Sequence, residues 1–103
     1  MRDWSEEIGR FNALPIEELD RMVEGIMSEG PRTWTTSRRI AARLISGADA
    51  DANLSPIMTA CSASRGWAGA SIRVSASLRR LVDAGVLESD DGARTLRYRR
   101  VGE

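Results

Sequence analysis

Histidine and lysine are absent from this 103-residue chain, and cysteine occurs once, as Cys61. Without histidine, the commonest general base and metal ligand, histidine-dependent triads and histidine-ligated zinc sites are excluded. Serines are plentiful, but a serine nucleophile needs a base, and neither histidine nor lysine is there to serve. A single cysteine excludes an intramolecular disulfide, and Cys61, among Ala60, Ser62 and Ala63, reads as a small buried hydrophobe. No apolar run approaches the roughly 18 to 20 residues that cross a bilayer. The acidic start, Met1-Arg2-Asp3-Trp4-Ser5-Glu6-Glu7, does not read as a secretory signal, so a cytoplasmic, membrane-free location is expected. Glycine-rich phosphate loops and metal-ligand spacings are also missing. Asp49, Asp51 and Asn53 mimic the opening of a calcium loop, but Leu54 replaces its glycine and Ala60 its bidentate acid. The expectation is a protein that is not an enzyme and takes no cofactor and no metal.

What is present is ordinary for one globular domain: 42% hydrophobic and 29% charged residues. The formal net charge of zero hides an asymmetry. Residues 1–31 carry three arginines against eight acids, and residues 32–103 carry twelve arginines against seven acids. Every basic residue is an arginine, whose planar fork suits phosphates and guanine edges. An anionic partner for the second part of the chain is the natural expectation.

Trp4, Ile8 and Phe11 recur at helical spacing behind Asp3, a capping residue, so residues 1–14 are expected to form an arm or short amphipathic helix. Its apolar side has two uses open to it: packing on the chain's own core, or pairing with a second copy as a homodimer. Pro15, followed by Glu17 and Glu18, opens a second helix with the stripe Ile16, Leu19, Val23, Ile26, Met27, which Gly30-Pro31 ends. Residues 32–35 favour a short strand. A helix over 36–46 follows, capped by Thr36 or Ser37 and closed by Gly47, with Ile40, Ala41, Leu44 and Ile45 inward and Arg38, Arg39 and Arg43 outward. Ser55-Pro56 signals another helix, about 56–65.

The next helix, about 71–84, places Ser71, Val74, Leu78, Leu81 and Val82 in one arc, with Gly85 as its left-handed cap. The opposite arc then displays Arg73, Ala76 and Arg80, with Ser77 beside them and Arg79 on the same helix. Small residues among arginines let a helix backbone approach a major groove about 12 Å wide. Val86-Leu87-Glu88 and Leu96-Arg97-Tyr98-Arg99 read as strands joined through Asp91-Gly92, with Leu96 and Tyr98 inward and Arg97 and Arg99 outward.

The run Ser75-Ala76-Ser77-Leu78-Arg79-Arg80-Leu81-Val82-Asp83-Ala84-Gly85-Val86-Leu87-Glu88, with the hairpin ending in Arg97-Tyr98-Arg99, resembles the recognition helix and wing of winged helix-turn-helix transcription regulators. Those of penicillinase-repressor and multiple-antibiotic-resistance type are the nearest in rhythm. The resemblance covers about residues 71–100 and extends more loosely to residues 35–44. It implies a mainly α fold with a small β-hairpin, of four to five helices plus a wing, over residues 15–103, with the recognition helix at about 71–84 and the wing at about 86–101. It further implies double-stranded DNA as partner, Arg73, Ala76, Ser77, Arg79 and Arg80 at the major groove, Arg94, Arg97 and Arg99 on the wing, and Ser37 and Arg38 at the backbone. The chain departs from the family in the more than 20 residues between Gly47 and Ser71, where the motif has a short turn. Either helix 36–46 pairs with the recognition helix and 48–69 is an insertion, or helix 56–65 is the partner and residues 66–69 are the turn. A different class also fits the neutral net charge: a winged-helix module or adaptor that binds another protein without DNA.

Overall fold

A computed structural model describes residues 2–29, 33–92 and 95–102. Among the described residues, five helices precede one hairpin: α1 Ser5–Asn12, α2 Ile16–Ser28, α3 Ser37–Ser46, α4 Ser55–Ser62, α5 Trp67–Asp83, then β1 Leu87–Asp90 and β2 Arg97–Arg100. The fold is mainly α with a small β-hairpin. The expected stop at Gly30-Pro31 and the wing residue Arg94 lie outside the described residues.

Local chemistry accounts for most boundaries. Pro15 immediately precedes α2, and Glu17 and Glu18 lie in its first turn, where the helix dipole favours acids. The Thr36 hydroxyl accepts from the Arg39 N–H at 3.4 Å to start α3, and Gly47, at φ 74°, ends it. α5 begins at Trp67, four residues earlier than the 71–84 expectation, because Gly66 turns the chain in a left-handed conformation. A Cβ at Gly66 would lie 2.9 Å from Ile8 Cγ2, so glycine also allows α1 to close onto this turn.

One core collects Ile8, Phe11, Leu19, Val23, Ile40, Ala41, Cys61, Ala70, Val74, Leu78, Leu87 and Tyr98. α5 is its central element and packs against α1, α2 and α3. Burial pushes the Cys61 thiol pKa up, as suits a core side chain.

The N-terminal segment is part of this core. Trp4, Ile8 and Phe11 are all buried within the chain's own core, which leaves a homodimer arm without the apolar face that motivated it. The Trp4 N–H donates to Ser64 Oγ at 2.9 Å and the Arg65 N–H to Ser5 Oγ at 3.0 Å, tying α1 to the end of α4.

β1 and β2 pair antiparallel, Glu88 opposite Arg99 and Asp90 opposite Arg97. The expected strand at 32–35 reduces to an isolated bridge, with Thr35 and Tyr98 exchanging both backbone hydrogen bonds at 2.8 Å. That bridge fastens the hairpin to the helices. Among the apolar positions, Leu96, expected inward, is exposed because β2 starts only at Arg97, Leu44 and Val82 are only partly buried, and Ile16 of the α2 stripe is exposed at the first turn of that helix. Arg43, expected outward, lies largely covered, with its Nη2 donating to Glu29 Oε2 at 2.5 Å and its Nε to the Ala48 carbonyl at 3.2 Å.

Candidate nucleic-acid interface

α5 is set about its axis differently from the arc its apolar pattern predicts. Its buried side is Ala70, Val74, Ser77, Leu78 and Leu81, a rotation of about 50° at 3.6 residues per turn. Ser77, expected on the groove face, is fully buried. Its small side chain, like that of Ala70, lets neighbouring helices approach closely. The same rotation turns two expected groove arginines toward the N-terminal helices. Arg73 Nη1 donates to the Phe11 carbonyl at 2.8 Å and Nη2 to the Leu14 carbonyl, so its charge caps the negative end of α1. Arg80 grips Asp20 of α2 with two bonds, Nε to Oδ2 at 2.9 Å and Nη2 to Oδ1 at 2.7 Å. Those bonds hold the Asp20 carboxyl below its usual range and raise Arg80.

The hairpin arginines are engaged as well. Arg97 pairs closely with Asp90, and Arg99 Nε donates to Glu88 Oε1 at 2.7 Å, each with the residue directly across the strand pair. Both guanidiniums also face the Trp34 ring, at 5.3 Å and 4.1 Å from its centre. The Gly92 N–H and then Arg97 hold the Asp90 carboxyl below its ordinary range. These arginines fasten the hairpin to Trp34; they are not a bare cationic ribbon.

The outward stripe of α5 is instead Ala68, Gly69, Ile72, Ala76, Arg79 and Asp83, with Ser75 half-exposed beside them and Arg80, also exposed, flanking it toward α2. Ala76 and Arg79 are thus the two expected groove residues on this outward stripe. Arg79 is held only loosely, its Nε 3.4 Å from Asp83 with both side chains mostly exposed. At the C-terminal end of the stripe, Arg79 and Asp83 line an open groove with Ser89, Asp91 and Leu96 of the hairpin. At its N-terminal end, Arg38 shares a hollow of about 180 Å³ with Met58, Thr59, Ser62 and Trp67. Arg38 is exposed at the start of α3, and Ser37 beside it is half-buried.

Two features escaped the helical-wheel reading. Ile72 is the centre of the stripe, and Arg65 precedes it at the α4–α5 turn. A sequence signal for both exists: between Glu29 and Asp83 the only carboxylates are Asp49 and Asp51, and residues 52–82 contain none. Counting acids along the second half would have marked α3, α4 and α5 as the cationic side without any choice of helix face. On this side the side chains of Arg38, Arg39 and Arg65 make no hydrogen bond or ion pair among the described residues.

Among the described residues no three histidine, cysteine, aspartate or glutamate side chains converge as a metal would require, and no helix is long and apolar enough to cross a membrane. Compared with known proteins, the chain matches no family model, no curated protein and no solved structure.

Proposed function

We propose that this protein is a cytoplasmic DNA-binding domain of winged-helix type, acting in transcription regulation, that presents the outward stripe of α5 to the major groove of duplex DNA. Arg79 reaches base edges, Ser75 and Ala76 keep the backbone close to them, and Arg38 and Arg65 neutralise phosphates beside the N-terminal end of α5. The observation that carries this reading is the charge division of the molecule. α1 and α2 hold Glu6, Glu7, Glu17, Glu18, Asp20 and Glu24, whereas α3, α4 and α5 hold no carboxylate before Asp83. A neutral protein whose carboxylates lie mostly on other elements can still meet a polyanion through an acid-poor one.

The test is a titration of a labelled mixed-sequence duplex at about 50 and about 200 mM salt, where even non-specific binders associate measurably at the lower concentration. Binding is expected to weaken with salt at a log–log slope of about −2 to −3, and Arg38→Ala and Arg65→Ala each to reduce that slope by about 0.9. Arg21→Ala, on exposed α2, leaves it unchanged. The reading fails if no complex forms at the lower salt, or if the Arg38→Ala, Arg65→Ala double variant keeps the full slope.

A second reading rests on one observation: Ile72, at 68% exposure, leads the exposed large hydrophobic residues. An apolar centre on a helix face also suits a protein partner. Loss of duplex binding at low salt would favour it.

A further inference from the structure

We infer that Ile72 selects thymine, by packing against its C5 methyl group in the major groove, three base steps from a guanine read by Arg79; this rests on the DNA-binding reading above. A base-pair edge in the major groove offers hydrogen-bonding groups and one apolar feature, the thymine methyl. The outward stripe of α5 is the complement of such an edge. Its residues around Ile72 are Ala68, Gly69, Ser75 and Ala76, so the isoleucine stands above a low surface and meets the groove floor first. A branched, exposed isoleucine contributes nothing to this core and forms helix less readily than the alanines around it. Single exposed apolar residues are common on proteins; this one differs in its place, on the outward stripe of α5 within residues 52–82, a stretch that contains no carboxylate.

Spacing supplies the second half of the inference. Ile72 and Arg79 are seven residues apart on α5, which is about 10.5 Å along the helix axis. For a helix lying along the groove this spans about three base steps of about 3.4 Å each. Arg79 is free enough to reach that far, since among the described residues its only ion pair is the loose one to Asp83. A guanidinium fork matches guanine O6 and N7. The recognised element is therefore a thymine and a guanine separated by about three base steps, with Ser75 and Ala76 passing between them.

The experiment starts from a random duplex pool selected with the wild-type protein. The best duplex is then titrated with each thymine replaced singly by deoxyuridine, which removes the methyl and preserves pairing. One position is expected to weaken wild-type binding about fourfold, the scale of one buried methyl-sized group. Ile72→Ala is expected to bind thymine and deoxyuridine forms equally while keeping the wild-type salt slope, and Arg79→Ala to lose its guanine preference about three steps away. If the wild type binds but no deoxyuridine substitution matters, or the selected duplexes lack thymine at a fixed position, the inference about Ile72 is overturned and the DNA-binding reading stands. If no duplex is enriched and none binds at low salt, the DNA-binding reading itself falls.

Discussion

Arg80 of α5 and Asp20 of α2 are joined by two hydrogen bonds, at 2.9 and 2.7 Å, and this pair ties the central helix to α2. The fork-on-carboxylate geometry suits the setting in which the buried face of α5 turns Ser77 inward and Ile72, Ala76 and Arg79 out. Removing either partner tests it. With Arg80 two-fifths exposed, Arg80→Ala is expected to cost no more than about 1 kcal/mol at pH 7 after solvent screening, measured by urea unfolding. The Asp20 pKa lies below its ordinary 3.8 in the folded protein. Its contribution is therefore complete above about pH 5 and is lost as pH falls through the folded value, so wild type and Asp20→Asn should differ more in stability at pH 7 than at acid pH. A gap of equal size at both pH values would show that the pair does not act through charge.

Arg73 is expected to matter for folding and not for nucleic acid. Arg73→Ala leaves the carbonyls of Phe11 and Leu14 without their donor and should lower stability by about 1 to 3 kcal/mol. Duplex affinity, measured well below the melting temperature, should stay within twofold of wild type. A large loss of affinity with unchanged stability would return Arg73 to the groove.

Gly66 and Gly85 both adopt positive φ, 90° and 80°, but only Gly66 has a crowded surrounding. Alanine at either position pays the conformational cost of about 1 kcal/mol. Gly66→Ala must also displace Ile8 Cγ2, so it should destabilise by about 2 kcal/mol or more and clearly exceed Gly85→Ala in thermal melts. Equal melting temperatures for the two variants would contradict the close approach of α1 to the α4–α5 turn.

Asp90→Asn should release Arg97 from its cross-strand partner while Trp34 stays beneath it. Duplex affinity at low salt is then expected to rise, with a salt slope steeper by up to about 0.9. An unchanged slope would mean that the hairpin stays away from the phosphates.

Much of the secondary structure could be read in one dimension. Pro15 and the two acids after it, the Thr36 cap, Gly47 and Gly85 mark helix ends by local steric and hydrogen-bonding rules that need no distant partner. The hairpin was legible for the same reason, although its strands begin one residue later than their apolar pattern suggests. The insertion question was legible only as a choice. α3 packs along α5, and α4 fills the connection, with Gly66 making the turn into α5.

The linear pattern determined that α5 is a helix, that it has one apolar side, and that the second half of the chain is cationic. Only the tertiary structure decided which way α5 faces. Ala70 and Ser77 are small enough to pack against other helices as well as to face a groove, and Val82 and Ile72 are apolar whether buried or exposed, so a wheel of residue types admits two settings about 50° apart. The choice falls to partners remote in the chain: α1, α2 and α3 bury Ala70, Val74, Ser77, Leu78 and Leu81, the carbonyls ending α1 hold Arg73, the carboxylate of Asp20 holds Arg80, and Ile72 is left in water. The arginines of the hairpin are decided in the same way, because charge is a property of the residue but neutralisation depends on which carboxylate the fold brings opposite it.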